Sequence, residues 1–269
     1  MNMSLTTLIN DVRRKNPLVH NITNQVVINF TANGLYALGA SPVMANAIEE
    51  AGDMAGNADA LLLNIGTLTS DQVDAMIEAG KAANAKGIPV VFDPVGVGAT
   101  PFRNQVASQI LNEVKITLVR GNAGEISQLA GLEAQVRGVD SSGSFDNKSI
   151  ARQAEQTLGI PVLVTGEKDV ITDGKALFEV SNGTQLLTKV TGTGCLLGAV
   201  IAAFLATGED IVKSATAAVV YYNVAAEKAA QQAKGPGSFQ LAFLDALAST
   251  TSEDVSRHAK IKHHILGEG

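Results

Sequence analysis

Leu61-Leu62-Leu63 and Val90-Val91-Phe92 are unbroken apolar triplets, and the chain between them has helical periodicity. A short strand that is apolar at every position must be covered on both faces, which is the mark of a parallel sheet between layers of helices. The intervening stretch, Ser70–Lys86, carries Val73, Met76 and Ile77 at helical spacing. Thr69 or Ser70 can cap its start, and Gly87 can end it before Pro89. Further short apolar runs read as strands: Pro17–His20, Ser41–Met44, Ala60–Asn64, Pro89–Asp93, Ile116–Arg120 and Pro161–Thr165. Gln25–Leu38, with Val26, Phe30 and Leu38, reads as another helix. The expected class is α/β, three layers around a central, mostly parallel sheet.

These runs end in residues with chemistry: His20-Asn21, Met44-Ala45-Asn46, Asn64, Asp93, Arg120 and Thr165. Open parallel sheets bind ligands just outside the carboxyl ends of their strands. One polar strand end signifies little, whereas six along one sheet edge point to a site.

After Thr165 the rhythm changes. Asp169–Asp173, Ala176–Val180 and Gln185–Thr188 are short runs joined by Asp173-Gly174 and Asn182-Gly183, both hairpin turn signals. An antiparallel edge on the parallel sheet is expected. Helices Cys195–Thr207, Ile211–Ala233 and Ser238–Leu247 follow, and the tail from Thr251 to Gly269 reads as a surface helix. His263-His264 in that tail has no third ligand close in sequence and reads as solvated. Ser141-Ser142-Gly143-Ser144 is a polar loop rather than a boundary, so 1–269 reads as one domain ending in a tail, 251–269.

Composition excludes several partner classes. Among 269 residues, 46% are hydrophobic and 17% charged, enough for a large core. A net charge of −6 argues against nucleic acid and anionic membrane as partners. A single cysteine cannot form an internal disulfide and makes a thiolate metal site implausible. The N-terminal residues lack a signal pattern. The most apolar stretch, Cys195–Ala206, is shorter than the roughly 20 residues that span a bilayer. A soluble cytoplasmic protein is expected.

Thr191-Gly192-Thr193-Gly194-Cys195 lies between a β-like run, Gln185–Val190, and an apolar helix-like run, Leu196–Ala206. A glycine turn opening a helix offers free N–H groups and the positive end of the dipole, and lets a phosphate approach the main chain. The same pattern also suits a loop that needs positive φ, followed by a buried cysteine. Gly192-x-Gly194-x-x-x-Gly198 approaches the dinucleotide fingerprint with one residue too many before the last glycine, and Glu209 and Asp210, near the spacing of its acidic residue, follow one helix and precede another. No second strand intervenes, so that reading is rejected.

Together the motifs carry a family resemblance. Thr191-Gly192-Thr193-Gly194, Asp93-Pro94-Val95 and Arg120-Gly121-Asn122-Ala123-Gly124-Glu125-Ile126 resemble the ribokinase-like small-molecule kinases. His20-Asn21-Ile22-Thr23-Asn24, Asn29-Phe30-Thr31-Ala32-Asn33, Ser41-Pro42-Val43-Met44, the run from Asp93 to Ala99, Gly192-Thr193-Gly194-Cys195 and Gly235-Pro236-Gly237-Ser238-Phe239 resemble the hydroxyethylthiazole kinases. The resemblance runs from about residue 5 to 248.

The resemblance implies a ribokinase-like three-layer fold. It also implies ATP-dependent phosphorylation of the hydroxyl of 4-methyl-5-(2-hydroxyethyl)thiazole, a step of thiamine salvage. Phosphoryl transfer needs positioning and charge neutralisation. Gly192, Thr193 and Gly194 would cradle the transferring phosphoryl group. Asp93 and Glu125 are the candidates for holding Mg²⁺, directly or through water, and Arg120 and Thr165 for binding ATP. By the same resemblance Met44, Asn24, Val26, Gly66 and Gly192 would line the thiazole pocket, although core packing is the plainer reading of Met44. Cys195 stands where most of the superfamily has an aspartate base. A thiol at a helix N-terminus can have a lowered pKa and act as base, or it can only shape the pocket.

The strands at Pro17, Ser41 and Ala60 leave no room for the small β lid of related sugar kinases. The family resemblance then implies a homotrimer with sites between protomers. Alternatives are a kinase for a hydroxymethylpyrimidine or pyridoxal-like alcohol, an ATP-dependent dehydratase repairing hydrated NAD(P)H, and a non-catalytic nucleotide-binding protein. Cys195 speaks against the first two, and Asp93, Arg120, Glu125 and the glycine turn together against the third.

Overall fold

The computed structural model describes residues 3–132, 146–208 and 210–265. Ser141–Ser144 and Glu209 lie outside them. One nine-stranded sheet has the order β2-β1-β3-β4-β5-β6-β7-β8-β9. β1 (Leu18–Ile22), β2 (Ser41–Val43), β3 (Ala60–Asn64), β4 (Val90–Asp93), β5 (Leu118–Asn122) and β6 (Val162–Thr165) are parallel. β7 (Asp169–Thr172), β8 (Ala176–Val180) and β9 (Ile261–Ile265) form the antiparallel edge.

Side chains alternate across a strand, so the apolar runs feed two cores. Leu62, Val91, Leu118 and Leu163 pack under the helices Ile28–Leu38, Thr193–Leu205 and Ile211–Gln232. Leu61, Leu63, Val90, Phe92, Val119 and Val162 pack on the other face against the helices Ser70–Lys86 and Pro101–Glu113. All five residues of β3 are buried.

Local sequence sets the helix boundaries. Thr69 accepts from the Gln72 N–H and the Gln72 side chain returns to the Thr69 N–H, a reciprocal cap, while Gly87 ends that helix at φ 79°. Thr100 accepts from the Arg103 N–H, with Pro101 in the first turn, where its fixed φ is already helical.

The chain leaves β1 outward to β2, then crosses back to β3 on the other side of β1. The helix after β1 therefore joins one core and the helix after β3 the other. The strand order thus reverses between β1 and β3, and doubly wound sheets bind ligands outside the carboxyl ends of the strands at such a reversal. Only helices connect β1, β2 and β3, and no β lid intervenes.

Four sequence expectations are corrected. Gln185–Lys189 is a 3₁₀ turn rather than a strand, because the Thr184 hydroxyl accepts from the Leu186 N–H and coils the chain. Asn182-Gly183 is therefore no hairpin turn. The Asn182 side chain instead accepts from the Lys260 N–H and donates to His258 O and Glu227. The tail is a short helix, Ser252–His258, followed by the edge strand β9. There His263 stacks on Phe178, with ring centroids 4.3 Å apart, so only His264 of the pair lacks such a contact. The helix expected from Gln25 begins at Ile28, and Val26 is 68% exposed in the preceding turn.

Candidate active site

The helix Thr193–Leu205 starts on Gly192, whose φ of 93° is left-handed. A Cβ there would lie 2.7 Å from Val27, so glycine is demanded twice. Thr193 is buried, its hydroxyl 2.6 Å from Leu187 O and 3.1 Å from Val190 O, and its carbonyl accepts from the Tyr222 hydroxyl. Its side chain therefore anchors the turn, and only the main chain is left for an anion. Gly194 lacks positive φ. Its constraint is proximity: a Cβ there would lie 3.2 Å from Arg120 Nη2. The glycine turn and the guanidinium thus face each other.

Arg120 extends from β5 and is 8% exposed. Its Nη1 donates to Asp93 Oδ2 at 3.1 Å, and its Nε is buried without a partner. Asp93 ends β4 and is fully buried. Oδ2 also accepts from Asn64 Nδ2 at 2.7 Å, whereas Oδ1 has no hydrogen-bond partner. Burial pushes the Asp93 carboxyl up to about 6, and the Arg120 charge only partly opposes it. Glu125 sits in the first turn after β5. Its Oε1 accepts from the Gly96 N–H and its Oε2 from the Asn122 N–H, both at 2.9 Å.

Asp93 and Glu125 offer hard oxygen donors, one of them buried and free. That set fits Mg²⁺, which takes one or two carboxylates plus water and phosphate. Among the described residues no group of three His, Cys, Asp or Glu side chains could hold a metal, so phosphate oxygens and water would complete the shell.

Beyond the ends of β1 and β3, Asn24 Nδ2 donates to Asn64 Oδ1 at 3.0 Å and to Cys195 Sγ at 3.2 Å. The Gly66 N–H also donates to Asn64 Oδ1, and a Cβ on Gly66 would strike Asn24 at 2.6 Å. Asn24, Gly66, Cys195, Asp93, Arg120 and Gly194 therefore form one continuous constellation. Thr165 ends β6, with its hydroxyl donating to Gly121 O. Met44 follows β2 and is half-buried.

The sequence leaves open a thiol lowered by the helix N-terminus and one that only shapes the pocket; the direction here is upward. Burial, then the Asp93 charge, push the Cys195 thiol up and outweigh the bonds that favour the thiolate.

Sequence reasoning did not assign site roles to Asn64, Arg103 or Tyr222. Arg103 donates to Ile65 O and Gly66 O on one side and to Val95 O, 2.6 Å away, on the other. It ties the turn after β3 to the turn after β4. Asn64 was visible only as a polar strand end, and nothing local marks Arg103 or Tyr222.

A model of the hydroxyethylthiazole kinase family matches residues 9–253. The structure of a hydroxyethylthiazole kinase from Pyrococcus horikoshii OT3 is 42% identical, with a TM-score of 0.90, and the match covers 98% of this chain and 100% of that one. An ADP complex of Bacillus subtilis pyridoxal kinase is 20% identical over 78% of this chain and 91% of that one, with a TM-score of 0.56. Staphylococcus aureus pyridoxal kinase with AMP-PCP and pyridoxal is 16% identical over 93% and 99%, with a TM-score of 0.63. The two pyridoxal kinases share the ribokinase-like fold alone. With the family model and the archaeal structure both matching nearly end to end, the chain belongs to the hydroxyethylthiazole kinase family.

Proposed function

We propose that this protein transfers the γ-phosphoryl group of ATP to the hydroxyl of 4-methyl-5-(2-hydroxyethyl)thiazole, serving thiamine salvage from the cytoplasm. Family membership supports the substrate. The observation that carries the chemistry is the apposition of Gly194 and Arg120: a Cβ on the glycine would come within 3.2 Å of the guanidinium. A phosphoryl group there meets backbone donors on one side and a fixed positive charge on the other.

Arg120 and the end of β6 at Thr165 receive the ATP phosphates. Asp93 and Glu125 hold Mg²⁺, which supplies charge neutralisation at the phosphates. Asn24, Val26, Met44, Gly66 and Gly192 line the thiazole pocket. Cys195 touches the alcohol end as a neutral thiol. Its raised pKa leaves little thiolate to act as base, and a loose transition state needs little early deprotonation of the nucleophile.

Among the described residues no β lid lies between β1, β2 and β3, so water must be excluded by other means. Val26 and Tyr36 are large apolar residues 68% and 66% exposed, which suits cover by a neighbouring protomer. We read the assembly as a homotrimer of single-domain chains with sites between protomers. The activity is tested by incubating the purified protein with Mg-ATP and hydroxyethylthiazole and following the phosphate ester by mass spectrometry. Ester should form and should stop on chelation of Mg²⁺. No ester, or ester formed equally in chelator, contradicts the proposal.

A further inference from the structure

Asn64 is 1% exposed and ends β3 at the point where the sheet reverses direction. A buried amide is costly unless its hydrogen bonds are made. Both of its ends are engaged here, and the neighbours fix which way it points. Asp93 Oδ2 can only accept from it, so the atom facing Asp93 is Nδ2, and the Gly66 N–H can only donate, so the atom facing Gly66 is Oδ1. The Asn24 amide then donates to the same Oδ1.

The two ends of this side chain belong to different halves of the site. The oxygen holds Asn24 and Gly66, on the alcohol side. The nitrogen holds Asp93 Oδ2, which also receives Arg120, on the phosphate side, and it also favours the Cys195 thiolate as a donor. With two donors on Oδ2, Oδ1 is the Asp93 oxygen without a protein partner. We propose that Asn64 is a positioning residue for phosphoryl transfer: its nitrogen fixes the rotamer of Asp93 for the Mg-nucleotide, while its oxygen independently shapes the alcohol pocket. The proposal rests on the kinase reading above.

Asn64→Asp separates the two halves. A carboxylate keeps the acceptor for Asn24 and Gly66 but turns a second negative oxygen toward Asp93. Mg-ADP binding by calorimetry, without alcohol, is expected to weaken at least tenfold, while KM for hydroxyethylthiazole stays within about threefold. Asn64→Ser adds no charge, and its hydroxyl is too short to reach Asp93. It is expected to weaken Mg-ADP tenfold as well, and to raise KM for the alcohol. A general loss of structure would move every parameter together and lower the melting temperature in step.

The inference is overturned if either variant binds Mg-ADP within twofold of the parent, or if Asn64→Asp shifts alcohol KM and Mg-ADP affinity by the same factor. Should the Asp variant fail to fold, the Ser variant decides. Should the parent not phosphorylate the thiazole, the kinase reading fails, while Mg-ADP calorimetry on the same variants still decides the Asp93 half.

Discussion

Arg120 Nη1 donates to Asp93 Oδ2 across adjacent strands, with both side chains at least nine-tenths buried. The pair places a guanidinium that cannot lose its charge beside a carboxyl that can. Arg120→Lys should weaken ATP binding at least tenfold, because a point charge cannot serve Asp93 and a phosphate together. Arg120→Met should lower stability by about 3 kcal/mol by stranding a buried carboxylate. Calorimetry and denaturant titration check the two values, and an unchanged ATP affinity in the lysine variant removes Arg120 from the site.

Asp93 predicts the pH profile. Its carboxyl, raised to about 6, must be ionised to pair with Arg120 and to receive a metal. Turnover at limiting Mg-ATP should rise between pH 5 and 7 with a midpoint near 6, and Asp93→Asn should be inactive throughout. For stability the sign is opposite. The folded pKa lies above the ordinary 3.8, so this group's contribution is full below pH 3.8 and is lost as pH rises through about 6. A profile flat down to pH 5 would count against Asp93 as the titrating group.

Gly192 and Gly194 should fail in different ways. Gly192→Ala combines left-handed φ with a 2.7 Å approach to Val27, and should cost about 2 kcal/mol of stability. Gly194→Val has ordinary helical backbone but fills the space before Arg120, and should abolish turnover with a smaller change in melting temperature. Equal losses of stability in the two variants would mean that Gly194 serves packing rather than anion binding.

The architecture was legible because parallel strands covered on both faces are apolar throughout, as in Leu61–Leu63. The Thr69 cap and Gly87 stop could be read because their partners are local. β9 was not legible: Ile261–Ile265 is short and mostly exposed, and its register comes from β8, some 85 residues away in sequence. In the site, Asp93, Arg120 and the glycine turn stood out as residue types suited to phosphate. Asn64 and Arg103 did not, since what they do depends on which carbonyls and amides the fold brings to them. The Cys195 environment also escaped the sequence. Helix position suggests a lowered pKa, and only the packed structure reveals the burial and the Asp93 charge that reverse it.

Cys195→Ala should therefore keep turnover within about tenfold of the parent, since a neutral thiol that accepts from Asn24 shapes the pocket without taking a proton. A loss of roughly 10²–10⁴, regained in Cys195→Asp, would identify a base at this position.

The proposed homotrimer predicts a particle of three 27.8 kDa chains by light scattering at micromolar concentration. A fully active monomer there would refute shared sites.

The central claim is tested most directly by one side-by-side assay. Phosphate transfer from Mg-ATP is measured with hydroxyethylthiazole, hydroxymethylpyrimidine and pyridoxal as acceptors, and repair of hydrated NADH is followed in parallel. The account predicts kcat/KM for hydroxyethylthiazole at least 10²-fold above the other alcohols, as expected of a site that hydrogen-bonds its own substrate, and no repair of hydrated NADH. Repair of hydrated NADH with no phosphorylation of the thiazole would contradict it.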